Sequence, residues 1–440
     1  MRDIFRPFTM RKINIGLAGL GTIGTGVYKN LLKNRVLLTE RLGLELDVKK
    51  VAERDWPKAR TDLVPEEQRT LRWEDLVEDP DINVIVELMG GTGIALKLIL
   101  RALEAGKAVV TANKALLCEH GKEIFETAAK HKVPVFYEAA VAGGIPIIKT
   151  VTEAFVANHI LSIHGIVNGT CNYILTRMTD LGQGFEDALR EAQQAGYAEA
   201  DPTFDINGWD SGHKAVILAS LAYGFWVPKE KIYVEGIEKI TAEDILFAKD
   251  LGYRIKLLAI IKGNKNGEVE VRVHPTLIPQ SHVLASVSGV FNAVAVHGDV
   301  VGETLFYGRG AGADATSSAV ISDIAEAGLA LESPRRSTGF TPHGLYGTCK
   351  PIGEIVSQYY LRLSVEDKPG VLAQVAGILG ENGIGISSVI QPKSHEGHAA
   401  SLVLMIHDAS NAQMDAALVK IEKLGCVKNT PRMMRVETFA

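Results

Sequence analysis

The stretch INIGLAGLGTIGTGVYKNLL, residues 13–32, decides the fold. Ile13–Gly19 is a short apolar run that ends in glycine. Thr22–Leu32 then places Ile23, Val27 and Leu31 at helical spacing. The spacing predicts a strand, a glycine turn and a helix. Gly19, Gly21 and Gly24 fall in the order G-x-G-x-x-G, in the strand–turn–helix context that this motif requires. The first glycine permits the tight turn, and the second lets backbone approach a pyrophosphate. The third lets helix and strand pack closely, and Thr22 and Ile23 open a helix whose positive end favours phosphate. Residues 19–24 are therefore a candidate dinucleotide site.

Outward from this motif the β and α signals alternate. Leu44, Leu46 and Val48 alternate as a strand that ends at Val51-Ala52, and Ile82–Met89 reads as a buried strand. Ile94–Ala105 is a helix closed by Gly106, and Leu116–Lys130 is another. Ala108–Thr111 and Val133–Tyr137 are further strands. This alternation predicts an α/β fold, a Rossmann-type parallel sheet over residues 1–146. The second strand runs into Glu53 and Arg54. An acid there suits a free ribose hydroxyl and an arginine suits a 2′-phosphate, but Glu53 lies further from the glycines than the usual spacing of about 20 residues. The pair favours NADP and leaves NAD open.

From about 147 the pattern becomes α+β. Strand-like stretches Leu161–Val167, Val269–Val273 and Ala293–His297 mix with helices expected around 171–195, 208–225 and 241–261, which sets a second domain at 147–307. The glycine-rich Gly308–Asp314, with Gly312, precedes a helix at Ala315–Leu331. This 308–332 segment is expected to return to the first domain and cover the nicotinamide half of the cofactor. Pro334, Pro342 and Pro351 mark a linker at 333–356. The remainder, 357–440, reads βαββαβ, a ferredoxin-like domain.

Composition narrows the function. A chain of 440 residues holds two to four domains at about 100–200 residues each. The net charge of −5 gives no basic excess for nucleic acid or anionic membrane. The longest apolar run, Ala215–Val227, is shorter than the about 20 residues of a membrane span and reads as a buried helix. The first ten residues carry Arg2, Asp3 and Arg6 and no apolar core, so no signal peptide is expected. Cys118, Cys171, Cys349 and Cys426 are scattered without a CxxC, which predicts a reducing, cytoplasmic setting, with Cys426 a lone reduced thiol. The histidines form no HExxH, so no transition-metal site is expected.

The chemistry concentrates in AQQAGYAEADPTFDINGWDSGHK, residues 192–214. Asp210 and Lys214 are four apart, on one face of a helix that begins near Asn207, with the acid N-terminal to the base. Lys214 stands just before an apolar helix body, at the rim of a pocket, where it can donate a proton or orient an oxygen. Glu199, on the preceding loop, is placed to accept from a substrate ammonium. Thr111-Ala112-Asn113-Lys114 follows a strand directly, and ligands of open α/β sheets bind at the carboxyl ends of strands. Lys114 is the second candidate.

Residues 192–214 resemble the signature of the monofunctional homoserine dehydrogenases: Ala192, Gly196-Tyr197-Ala198-Glu199-Ala200-Asp201-Pro202, Asp205-Ile206, Gly208, Asp210 and Lys214. The glycine fingerprint, the Thr111–Lys114 loop and the Gly308–Asp314 segment match that family in order, so the resemblance covers essentially the whole chain. It implies a cytoplasmic, NADP- or NAD-dependent oxidoreductase that interconverts L-homoserine and L-aspartate 4-semialdehyde in threonine, methionine and isoleucine biosynthesis. It implies Lys214 as proton donor, Lys114 as the group that polarises the aldehyde oxygen and lies by the cofactor, and Glu199 and Asp210 as substrate ligands. Asp205 would brace the lysines, and Gly196 would lie against the cofactor. A lysine acid/base titrating near 10.4 implies a homoserine oxidation optimum above about pH 8. The resemblance also implies a sodium ion on Glu138, Val141, Gly143 and Ile145, in YEAAVAGGIP, and dimerisation through the 147–307 domain.

Residues 357–440 resemble an ACT domain, carried by Val365–Ala373 and Leu379–Ile384. Pro369-Gly370 at its helix start exposes backbone N–H groups to a carboxylate. ACT domains pair through sheet edges, so a homodimer or homotetramer with L-threonine as inhibitor is implied. Two alternatives remain. One is a related oxidoreductase of another amino-acid semialdehyde; it gives no reason for the full 199–214 signature. The other is a non-catalytic amino-acid sensor, which predicts loss of Lys114, Lys214 or the glycines. A bifunctional aspartokinase fusion does not fit a cofactor loop that begins at Gly19.

Overall fold

The computed structural model describes residues 11–331, 339–391 and 399–439, without the side chains of residues 58 and 59. The expectation about a signal peptide, and the 333–338 part of the expected linker, lie outside the described residues. The chain divides into two compact units.

Among the described residues the first unit takes in 11–159, 216–229, 306–331 and 339–346. Its sheet has six parallel strands: β1 (Arg11–Ala18), β2 (Leu44–Ala52), β3 (Arg69–Thr70), β4 (Val84–Glu87), β5 (Ala108–Thr111) and β6 (Val135–Phe136). The order is β3-β2-β1-β4-β5-β6. The order reverses between β1 and β4, the switch point at which doubly wound sheets bind ligands. β4 and β5 are buried throughout because both sheet faces are covered, so they read as unbroken apolar runs. The helix Ala313–Ala330 belongs to this core: Val320, Ile324 and Ala327 pack in one cluster with Ile13, Ile15 and Val27. Glycine sets the approach of this helix to Thr22–Lys33. A Cβ on Gly26 would stand 3.3 Å from the Ala313 carbonyl oxygen, and Asn30 donates to Ser317 Oγ at 2.9 Å across the same contact.

Among the described residues the second unit takes in 160–215, 230–305, 347–391 and 399–439. Its strands are β7 (Ile160–Ile166), β8 (Tyr233–Val234), β9 (Tyr253–Gly263), β10 (Glu268–Pro279), β11 (Phe291–Gly298), β12 (Gly302–Arg309, which leads the chain on into the first unit), β13 (Thr348–Cys349), β14 (Val356–Val365), β15 (Ile386–Ile390), β16 (Ala400–Ser410) and β17 (Arg432–Val436). They form one sheet in the order β12-β11-β7-β9-β10-β17-β14-β16-β15, with β8 and β13 also paired to β10.

Two helix expectations need correction here. The helix expected over 241–261 stops at Asp250, because Gly252 takes φ +82° and the following YRIKLLAIIKG is β9, a central strand. An apolar run buried on both faces has no period that distinguishes strand from helix. The helix expected over 171–195 is two, Gly169–Leu181 and Phe185–Gln194, broken where Gly182 takes φ +67°.

The C-terminal segment has the expected βαββαβ order, with helices Val371–Glu381 and Asn411–Ile421 over one core of Tyr359, Leu361, Leu404 and Met414. It is built into the same sheet as the strands before it. β17 pairs parallel with β10 through Thr276–Arg435 and Leu277–Val436. Just past β17, Glu437 is buried among Lys262 Nζ at 2.7 Å, Arg272 Nη2 at 3.2 Å and His164 Nε2 at 3.6 Å. Phe439 stacks on His282 with ring centroids 3.5 Å apart. On β14, Arg362 Nε donates to Asp244 Oδ1 at 2.7 Å, and Asp244 in turn closes a capping box with Thr241. Within the expected linker, Thr348–Cys349 is strand β13. Among the described residues no helix is long and apolar enough to cross a membrane.

Candidate active site

In the first unit β1 is followed by Gly19, which takes φ +95°; a Cβ there would stand 2.6 Å from the Leu88 carbonyl oxygen. A Cβ on Gly24 would stand 2.1 Å from the Gly19 carbonyl oxygen, so only glycine lets helix and turn close. Gly21 differs: a Cβ there would meet nothing within 4 Å. It is the N-cap of Thr22–Lys33, and no side chain caps it. An open, uncapped helix start beside a glycine turn fits a pyrophosphate.

Glu53 is tied to this loop, accepting the Leu20 N–H at 2.6 Å and pairing with Arg60 at 3.2 Å. Arg54 beside it is exposed. At the end of β4, Glu87 is fully buried and accepts from Thr111 Oγ1 at 2.6 Å and from the Met89 and Gly90 N–H groups. Burial pushes its carboxyl above the ordinary range against those hydrogen bonds. Thr111 accepts the Asn113 N–H, and Asn113 caps the helix Lys114–His131. The chain Glu87–Thr111–Asn113 thus fixes the first residue of that helix, Lys114. Glu87 was not singled out by sequence reasoning; its only signal is one acid in the apolar strand INVIVELM.

The loop Glu138–Ile145 follows β6. Glu138 is buried; its two carboxylate oxygens accept the Ile148 and Lys149 N–H groups at 2.8 and 2.9 Å, and its own N–H donates to buried Asp323 at 2.8 Å. Burial raises both carboxyls, Asp323 the further. Ala142 and Gly143 take φ +54° and +49°, and the Ile145 carbonyl accepts the Ile147 N–H. This loop meets the second glycine segment. The Gly144 N–H donates to the Arg309 carbonyl at 3.1 Å, and a Cβ on Gly143 would stand 2.5 Å from the Gly310 carbonyl oxygen. Gly312, at φ +109° with open space around it, caps the helix Ala313–Ala330. Among the described residues no three His, Cys, Asp or Glu side chains cluster as metal ligands.

In the second unit three of the predicted residues converge. Lys214 lies on the helix Trp209–Tyr223 and is 8 % exposed. Its Nζ donates to Asp210 Oδ2 at 2.7 Å and to the Val167 carbonyl at 2.6 Å. Asn168 Nδ2 donates to Asp210 Oδ2 at 2.8 Å and to Asp205 Oδ1 at 2.7 Å. Glycines allow this helix start: Gly208 takes φ +89°, and a Cβ on Gly212 would press on Val234 at 3.1 Å. Glu199 stands apart, exposed on the loop after Phe185–Gln194, its carbonyl accepting from Gln193. Gly196, at φ +74°, is exposed on the same loop. Asn168 was not foreseen.

In the C-terminal segment, Glu366, Asp367, Lys368, Pro369, Gly370 and Gln391 are among the residues around a cavity of about 340 Å³. Gly370, at φ +90°, caps Val371–Glu381 without a side-chain cap.

A doubly wound sheet with an open glycine turn, a buried lysine–carboxylate cluster and a ferredoxin-like C-terminal segment define an NAD(P)-binding oxidoreductase that carries an ACT domain. Three family models match the chain: homoserine dehydrogenase, NAD binding domain, over residues 19–138; homoserine dehydrogenase over 146–325; and ACT domain over 359–426. The homoserine dehydrogenase of Neisseria gonorrhoeae is 45% identical over 435 residues, 98% of this chain and 100% of that protein. The crystal structure of a homoserine dehydrogenase from Thiobacillus denitrificans superposes with TM-score 0.91 at 44% identity, covering 98% of this chain and 99% of that one. A hyperthermophilic archaeal homoserine dehydrogenase in complex with NADPH matches at 28% identity and TM-score 0.62, covering 74% of this chain and 100% of that one. The chain belongs to the homoserine dehydrogenase family.

Proposed function

We propose that this chain interconverts L-homoserine and L-aspartate 4-semialdehyde, with Lys214 moving the proton. The observation that carries the reading is the Lys214 ammonium, nearly buried and fixed by Asp210 and the Val167 carbonyl. When bound, the nicotinamide cofactor supplies or takes up the hydride. Gly19, Gly21, Thr22, Ile23 and Gly24 hold its pyrophosphate, and Gly196 and Gly312 lie along it. Exposed Arg54 favours NADP, in keeping with the NADPH held by the archaeal relative, and Glu53, already bonded to Leu20, is committed to the loop. Lys214 gives its proton to the aldehyde oxygen in reduction and takes it back in oxidation, while Lys114 polarises that oxygen. Glu199 takes the substrate ammonium, Asp210 a second polar group, and Asp205 braces the cluster.

We read 1–146 with 308–332 as the cofactor domain, 147–307 as the catalytic and dimerisation domain of a homodimer or homotetramer, 333–356 as a linker and 357–440 as the ACT domain. Glu138, with the Val141, Gly143 and Ile145 carbonyls, takes a monovalent cation, sodium; one carboxylate with backbone oxygens suits a hard, singly charged ion. A sodium-dependent rise in melting temperature that Glu138→Ala abolishes tests this. The cavity at Gly370 takes L-threonine, its carboxylate on the open helix start and its ammonium by Asp367. Absorbance at 340 nm with aspartate 4-semialdehyde and NADPH tests the reaction itself. A folded protein that oxidises neither NADPH nor NADH with this substrate contradicts it.

A further inference from the structure

We propose that Asn168 is a positioning residue for the reaction, its side-chain amide joining Asp205 to Asp210 so that Asp210 holds Lys214 at one place. This rests on the reading of Lys214 as proton donor. Asn168 is 5 % exposed and lies two residues past β7. Its side chain makes three bonds of two kinds. Oδ1 accepts the Cys171 N–H at 2.7 Å, which caps the helix Gly169–Leu181. Nδ2 donates one proton to Asp205 Oδ1 at 2.7 Å and the other to Asp210 Oδ2 at 2.8 Å. The preceding residue, Val167, accepts from Lys214 itself at 2.6 Å. Two consecutive backbone positions therefore set Lys214, one directly and one through Asp210.

The chemistry explains why an amide stands there. Two carboxylates sharing a buried site repel, and a neutral group that donates to both links them without adding charge. Burial and the carboxylates of Asp205, Asp210 and Glu238 hold the thiol of Cys171, beside this point, well above its ordinary pKa, against the pull of Lys214. A lysine chain has many rotamers, and misplacement by about 1 Å costs on the order of 100-fold in rate. The asparagine amide caps a helix with its oxygen and donates twice with its nitrogen. Aspartate caps but donates nothing; serine caps and donates once.

The test uses the full chain with Asn168→Asp, Asn168→Ser and the swap Asn168→Asp with Asp205→Asn, which returns the charge count to its original value. Both single variants keep a capping group. The expected result is a fall in kcat of tenfold or more in each, with NADPH binding unchanged by fluorescence titration. The rising limb of homoserine oxidation moves to higher pH in Asn168→Asp, because an added carboxylate favours the ammonium. The swap recovers part of the kcat lost in Asn168→Asp. The proposal is overturned if folded variants keep the wild-type kcat and pH profile, or if the loss is confined to KM. It is also overturned if neither single variant folds, which assigns Asn168 to the framework. Wild type that acts on neither homoserine nor the semialdehyde, or Lys214→Ala at full rate, overturns the underlying reading instead.

Discussion

Asp210 and Lys214 sit one helical turn apart, and Lys214 Nζ stands 2.7 Å from Asp210 Oδ2 with the Val167 carbonyl at 2.6 Å on another side. Two acceptors fixed by different elements, a helix and the end of β7, remove the freedom of a long side chain. The ammonium is nearly buried, which strengthens each of its contacts and makes its location a property of the fold.

The glycine loop separates a packing requirement from a binding requirement. Gly24→Ala forces a Cβ to 2.1 Å from the Gly19 carbonyl oxygen, and lowers melting temperature sharply. Gly21→Ala meets no protein atom within 4 Å, so the protein keeps its melting temperature and loses NADPH affinity, by about tenfold or more if the added methyl keeps the pyrophosphate off the backbone. Thermal denaturation and fluorescence titration on the two variants distinguish these outcomes. Equal affinity in Gly21→Ala and wild type contradicts the assignment.

Glu437 joins the ACT segment to the sheet before it. Burial acts to raise its carboxyl, but His164, Lys262 and Arg272 outweigh burial and hold it well below its ordinary 4.5. A depressed native pKa stabilises the fold above about pH 4.5, and that contribution is lost as pH falls through the native value. Glu437→Gln takes one of two carboxylates from buried Arg272, which keeps Glu270 at 2.8 Å, and also unpairs Lys262, so the variant is less stable than wild type at pH 7. Urea denaturation from pH 7 down to 3 checks it: the gap between wild type and variant narrows below pH 4.5. A gap that is constant with pH contradicts the charge account.

The same join determines how regulation is tested. Deleting 357–440 strips β17 from β10 and bares Arg272, so loss of activity in that truncation says nothing about an effector. Asp367→Ala leaves the sheet alone. We expect it to abolish inhibition by L-threonine while kcat/KM without threonine stays within about twofold, a coupling of about 1–3 kcal/mol removed at its source. Unchanged inhibition in the variant contradicts the cavity at Gly370.

Much of this was legible in the sequence, for physical reasons that differ by element. Five of the six strands of the first sheet were readable as apolar or alternating runs that end in glycine or in a polar turn, but β3, Arg69–Thr70, carries no such pattern; the Gly19–Gly24 turn admits no other residue at 19 and 24. The Asp210–Lys214 pair was readable because helical geometry brings residues four apart together. β9 was not, since a strand buried on both faces carries no period. Asn168 was not, because its two carboxylate partners lie 37 and 42 residues away and sequence shows only a helix cap. The union of the ACT strands with β10 was also hidden, since it depends on pairing between Thr276 and Arg435, distant in the chain.

Lys214 is proposed to carry the proton of homoserine–semialdehyde interconversion. The most direct measurement is NADPH oxidation at 340 nm with L-aspartate 4-semialdehyde, for wild type and Lys214→Ala, each shown to be folded and to bind NADPH. Wild type is expected to oxidise NADPH rapidly and the variant to lose at least about 100-fold, the scale of general acid catalysis. Homoserine oxidation by wild type is expected to climb as pH rises above about 8. Equal rates in the two proteins, or no oxidation by wild type, contradict this role of Lys214.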